Sequence, residues 1–137
     1  MTAKHNKLIS YTDGGARGNP GLAAIGVVLQ DEHGKLVKEF GEAMGEATNN
    51  QAEYQAIIRA LETAAELGAS EVESYLDSEL VVKQLNSEYK VKHANMKPLF
   101  EKVQALAGQF DKVSFAHVMR EDNVRADELL NEVLDSL

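Results

Sequence analysis

The 137 residues include 44% hydrophobic and 26% charged side chains, with 10 Gly and only 2 Pro. This composition excludes a disordered or collagen-like chain and suits one packed domain over 1–137. Cysteine is absent, so disulfides, thiolate zinc sites and cysteine nucleophiles are excluded, and any metal must be held by oxygen or imidazole. Fourteen basic against twenty-two acidic side chains give a net charge of −8, the wrong sign for a protein that grips nucleic acid through its overall field.

The opening MTAKHNKLISYTD lacks the apolar stretch of a signal peptide, and no run approaches the roughly 20 apolar residues that span a bilayer. A soluble, unprocessed, cytoplasmic protein with no membrane partner is expected. Residues 7–12 read as a strand, closed by the Gly-rich turn Asp13 to Gly21. The runs Leu22 to Leu29 and Lys35 to Met44, parted by a turn at 31–34, complete a β-meander.

From Thr48 the period changes. Ala56, Ile57, Ala60, Leu61, Ala64 and Leu67 recur at helical spacing, and Gly68 supplies the stop. Glu71 to Leu76 is a short strand, and Leu80, Val81 and Leu85 mark a helix ending near Asn86. The connection 87–97 is basic: five lysines lie between Lys83 and Lys102, against Glu88 and Glu101. Pro98 opens a helix that Gly108 ends, Lys112 to Val118 forms a fifth strand, and Leu129, Leu130, Val133 and Leu134 mark a final helix. A meander followed by strand-helix-strand units predicts a mixed α/β fold, a five-stranded sheet with helices on its faces.

Four acids lie at element ends: Asp13, Glu53, Asp77 and Asp127. Each has an ordinary structural reading. Asp13 precedes Gly14 in a turn, Asn50 to Glu53 fits a capping-box spacing, Asp77 could cap the next helix, and Asp127 could complement a helix dipole. Together they say more, because strands one and four can be parallel neighbours, which sets Asp13 beside Asp77 at the carboxyl edge where ligands bind. Clustered carboxylates repel and shift one another's pKa, so a hard divalent cation is expected among them, Mg²⁺ or Mn²⁺ rather than zinc.

The flanking residues turn the acids into a pattern. The blocks Tyr11 to Gly21, Ala47 to Tyr54, Asp77-Ser78 and His117 to Asp127 resemble the type 1 ribonuclease H family, in order and at family spacing across nearly the whole chain. The resemblance implies a ribonuclease H-like fold with strand order 3-2-1-4-5 and helices on both faces. It implies Asp13, Glu53, Asp77 and Asp127 as metal ligands, and Thr48, Asn49, Asn50, Asn19, Gly14 and Ala16 as contacts to an RNA-DNA hybrid. Short amides and backbone groups suit minor-groove edges and 2′-hydroxyls, and a helix start suits phosphate.

The implied activity is endonucleolytic hydrolysis of the RNA strand of the hybrid. Two Mg²⁺ ions roughly 4 Å apart would promote in-line attack of water and leave 5′-phosphate and 3′-hydroxyl ends, with Mn²⁺ able to substitute. A monomer is expected. Lys90, Lys92, His93 and Lys97 are candidates for additional phosphate contacts. Here the short connection 87–97 stands where some relatives carry a basic helical protrusion, and Glu79 stands where some carry a minor-groove Gln. A loop His of many relatives has no counterpart before Asp127. His117 falls in a strand pattern and reads as structural, whereas Arg120 is a catalytic candidate whose ordinary reading is an ion pair to Glu121 or Asp122.

Two other readings compete. A catalytically silent hybrid-binding module would be favoured by loss of one acid, and all four are present. A different nuclease on the same fold is disfavoured by Thr48-Asn49-Asn50 and the Gly-Asn-Pro-Gly turn.

Overall fold

In the computed structural model, which describes residues 6–137, alternating burial of Leu8, Ser10 and Thr12 defines the first strand, β1 (Lys7–Gly18). This strand outruns the expected turn. Its antiparallel ladder with β2 (Gly21–Asp31) continues from Asp13↔Gly26 to Gly18↔Gly21, so the reversal is confined to Asn19-Pro20. The small side chains at 14–16 pair across to Ala23, Ala24 and Ile25, and ladder pairing overrides the turn preference of glycine.

β3 (Leu36–Ala47) extends the meander antiparallel to β2. The chain then crosses by α1 (Asn49–Glu66) to β4 (Glu71–Leu76), parallel to β1 in the register Leu8↔Val72 to Thr12↔Leu76. Two helices, α2 (Glu79–Leu85) and α3 (Lys97–Ala107), lead to β5 (Lys112–His117), parallel to β4. A single 3-10 turn at Arg120–Asp122 precedes α4 (Val124–Asp135). The sheet order is β3-β2-β1-β4-β5, as expected.

Period-2 alternation sends the two sets of strand side chains into two cores. On one face Leu8, Val72 and Leu76 pack beneath Ile57, Ile58 and Leu61 of α1, Val81 of α2 and Val103 of α3. On the other, Ala24 and Val28 meet Leu129, Leu130 and Leu134 of α4. Each fully buried aliphatic side chain contributes about 1.5–3 kcal/mol. Among the described residues, no helix is long and apolar enough to cross a membrane.

The start of α1 differs from the expected capping box. Thr48 is the cap: its Oγ1 accepts from the Gln51 N–H at 3.1 Å, and Gln51 Oε1 accepts from the Thr48 N–H at 2.9 Å. Thr48 has the extended backbone a cap requires, whereas Asn50 is already helical and Glu53 is left free for another role. Gly68, at φ +81°, follows the helix end.

Two glycines set the distances that matter at the sheet's edge. A methyl at Gly14 would overlap the Ala52 carbonyl group and approach the Glu53 nitrogen to 2.5 Å, so only glycine lets α1 lie this close to β1. A methyl at Gly26, across from Asp13, would overlap the Ala126 carbonyl. Glycine there brings the first turn of α4 onto the sheet.

Candidate active site

These two close approaches deliver side chains as well as backbone. Gly14 admits the turn of α1 that carries Glu53, and Gly26 admits the turn of α4 that carries Asp127. Asp13 stands between them on β1, and Asp77 follows the end of the parallel neighbour β4. All four acids line one open cleft of about 380 Å³, together with Gly14, Ala16, Arg120 and Asn131. Carboxylate oxygens of Asp13, Glu53 and Asp77 lie within 4.8 Å of one another.

The electrostatics are those of crowded like charge. Burial, then the neighbouring Asp77 and Asp127 carboxylates, pushes Asp13 up to about 8, against a single lowering hydrogen bond from the Gly14 N–H at 3.0 Å. Burial, then Asp13 and Asp77, holds Glu53 well above the usual carboxylate range. Glu53 is only 8% exposed, and its Oε2 is buried without a hydrogen-bond partner. A carboxylate with an orphaned oxygen, clustered with other carboxylates, lacks positive charge nearby, and an all-oxygen donor set suits a hard divalent cation such as Mg²⁺ or Mn²⁺. The residues present therefore fit a metal ion.

Of the expected substrate contacts, Gly14 and Ala16 lie in the acid cleft, whereas Asn19, Thr48, Asn49 and Asn50 line a second hollow of about 340 Å³ with Gln51, His93, Asn95 and Met96. Asn49 borders both hollows. Its Oδ1 accepts from the Ala16 N–H at 2.9 Å, and its own N–H donates to Asn19 Oδ1 at 3.0 Å. The Ala16 N–H and Asn19 Oδ1 are thus spent inside the protein, tying the tip of the β1–β2 hairpin to the start of α1. What Asn49 leaves free is its Nδ2, a donor only.

The remaining candidates are more scattered. Glu79 is exposed in the first turn of α2 and pairs with Lys83 at 2.9 Å, outside the acid cleft. Lys90 borders a separate hollow with Tyr89, Val91, Lys97 and Phe100, and Lys92 is exposed on the same connection. Arg120 lines the acid cleft, and among the described residues no ion pair joins it to Glu121 or Asp122. His117 ends β5 with an exposed side chain and is not part of the cleft wall. Asp77 does not cap α2, since Ser78 Oγ accepts from the Val81 N–H at 3.4 Å.

Three residues escaped the sequence reading. Asn131, four positions after Asp127, shares its helix face, a spacing rule that could have found it. Asn123, 2% exposed, donates from Nδ2 to the Thr12 carbonyl at 2.8 Å and so pins the start of α4 to the strand that carries Asp13. Asn95 lies in a connection without periodicity, where no pattern points to it.

The sequence model of the family described as reverse transcriptase-like matches residues 11–133. A ribonuclease HI of Halobacterium salinarum is 46% identical over 92% of this chain and 63% of its own length. A bifunctional protein of Mycobacterium tuberculosis is 43% identical over 95% of this chain and 36% of its own length. The chain therefore spans about a third of the mycobacterial relative and under two thirds of the halobacterial one. Among solved structures, RNase H1 from Halobacterium salinarum superposes with a TM-score of 0.94 at 44% identity, covering 96% of this chain and 99% of that one. LC11-RNase H1, solved in complex with an RNA/DNA hybrid, gives 0.90 at 48% identity over 94% and 97% of the two chains.

Proposed function

We propose that this chain, which belongs to the type 1 ribonuclease H family, is a metal-dependent endoribonuclease that hydrolyses the RNA strand of RNA-DNA hybrids, leaving 5′-phosphate and 3′-hydroxyl ends. The observation that carries this reading is the convergence of Asp13, Glu53, Asp77 and Asp127 in one cleft where Glu53 Oε2 is buried and unpartnered. The hybrid bound by LC11-RNase H1 supports the choice of substrate.

Asp13, Glu53, Asp77 and Asp127 would hold two Mg²⁺ ions, with Mn²⁺ able to replace them. Bound there, the ions would supply Lewis acidity toward the phosphodiester and a nucleophilic water, in line with the leaving oxygen. The chain's own residues do the rest. Gly14 and Gly26 fix the spacing of the acids, so the geometry exists before substrate arrives. Arg120, on the cleft wall, offers a planar cation to a phosphate. In the second hollow, the free Asn49 Nδ2 addresses acceptors, which every base pair presents in the minor groove, so recognition there ignores sequence. Thr48, Asn50 and Asn19 complete that surface, and Lys90 and Lys92 add long-range attraction in a chain that is otherwise acidic.

The test is incubation with matched RNA-DNA, RNA-RNA and DNA-DNA duplexes, with Mg²⁺, with Mn²⁺ and with chelator. RNA is cut in the hybrid only and only with metal, and cutting is lost in Asp13→Asn and Asp77→Asn. Equal cutting of duplex DNA, or retention of hybrid without cutting, overturns the proposal.

A further inference from the structure

Asn131 lies in α4 one helical turn after Asp127, so its side chain reaches back over the same face. Its Nδ2 donates twice, to the Asp127 main-chain carbonyl at 2.9 Å and to Asp127 Oδ1 at 3.2 Å. The first bond is the ordinary habit of Asn within a helix. The second is not required by the helix, and it falls on a carboxylate that lines the acid cleft, as Asn131 itself does. Among the described residues, no other side-chain N–H is bonded to that carboxylate.

We infer that Asn131 is a positioning residue, holding one oxygen of Asp127 so that the carboxylate is oriented for a divalent cation; this rests on the function proposed above. The residue type is informative. A primary amide donates without carrying charge, so it restricts the carboxylate while leaving its negative charge for the ion. Lysine or arginine at 131 would neutralise Asp127 and compete with the cation, and a carboxylate would add a fifth acid to a cleft already lined by four.

The full chain is titrated calorimetrically with Mn²⁺ without substrate, and the Mg²⁺ dependence of hybrid cutting is measured alongside. Asn131→Ala weakens Mn²⁺ binding and raises the half-saturating Mg²⁺ concentration, each by about 10-fold, the lower end of what an outer partner of a metal ligand contributes. KM for the hybrid and the metal-free Tm stay at wild-type values, which separates positioning from a folding defect. Asn131→Gln, which keeps the amide, recovers part of the affinity, and Asn131→Ala adds no loss in an Asp127→Ala background. Unchanged Mn²⁺ affinity in Asn131→Ala, or a full additional loss in the Asp127→Ala background, overturns the inference. Failure of the wild type to cut hybrid refutes the proposed activity instead, and the calorimetric titration still reads the part played by Asn131.

Discussion

The two hollows that meet at Asn49 are built on opposite principles. In the acid cleft, buried carboxylates face one another, Asp13 is pushed up to about 8 and Glu53 Oε2 has no partner. In the amide hollow no carboxylate among the described residues lines the wall, and Thr48, Gln51, Asn49 and Asn19 are tied into the fold through the Thr48–Gln51 capping box and the Asn49 links to Ala16 and Asn19. The acid cleft carries a polar deficit that a cation can relieve, and the amide hollow is already organised and has little to gain from ordering. Under the function proposed above, chemistry belongs to the first and recognition of a shape to the second.

The largest expected effect tests the deficit itself. Asp13→Asn lowers hybrid cutting by more than about 100-fold, beyond the range of an outer partner, while raising the metal-free Tm by replacing a carboxyl whose ionisation burial and neighbouring acids oppose with an amide that has no proton to lose. Steady-state kinetics and calorimetry read both, and a lower metal-free Tm in this variant would break the comparison. Gly14→Ala comes next: the added methyl pushes α1 off β1, destabilising the fold by about 1–3 kcal/mol and separating Glu53 from Asp13. Denaturant titration together with activity checks it, and a stable, fully active variant contradicts the role given to close approach.

On the other side, Thr48→Ala loses the cap of α1, costing about 1 kcal/mol, and it and Asn49→Ala raise KM for the hybrid while leaving kcat near wild type. Should kcat fall as it does in Asp13→Asn, the division of labour between the hollows is wrong. The smallest effect is one of pH. The raised Asp13 and Glu53 carboxyls keep their protons in the folded chain where the unfolded chain has released them, so the folded state binds more protons and stability falls as pH rises. Their contribution is whole below the ordinary Asp value of 3.8 and is lost as pH climbs through about 8 for Asp13. Calorimetry of the metal-free protein should show Tm declining across that window, with saturating Mg²⁺ flattening the decline.

Much of this was legible in the residues. The mixed five-stranded sheet followed from a meander joined to strand-helix-strand units, because short connections leave few ways to pair the strands, and the family resemblance implied the order 3-2-1-4-5. The four acids stood out by their place at element ends. The residues offered a cap for α1 both at Asn50 and within Thr48-Asn49-Asn50, and only the backbone dihedrals single out Thr48. The first hairpin was expected to open at Asp13 and instead stays paired to Gly18, because glycine codes equally for a turn and for close packing.

What the sequence determined alone was the identity of the elements and of the acids, through patterns confined to a few turns or one strand. What only the tertiary structure decided was which oxygens lack partners and which amides are already engaged, as at Glu53, Asn49 and Asn131. Those depend on approaches between segments far apart in the chain, set at Gly14 and Gly26 by the absence of a single methyl group, and no local period encodes them.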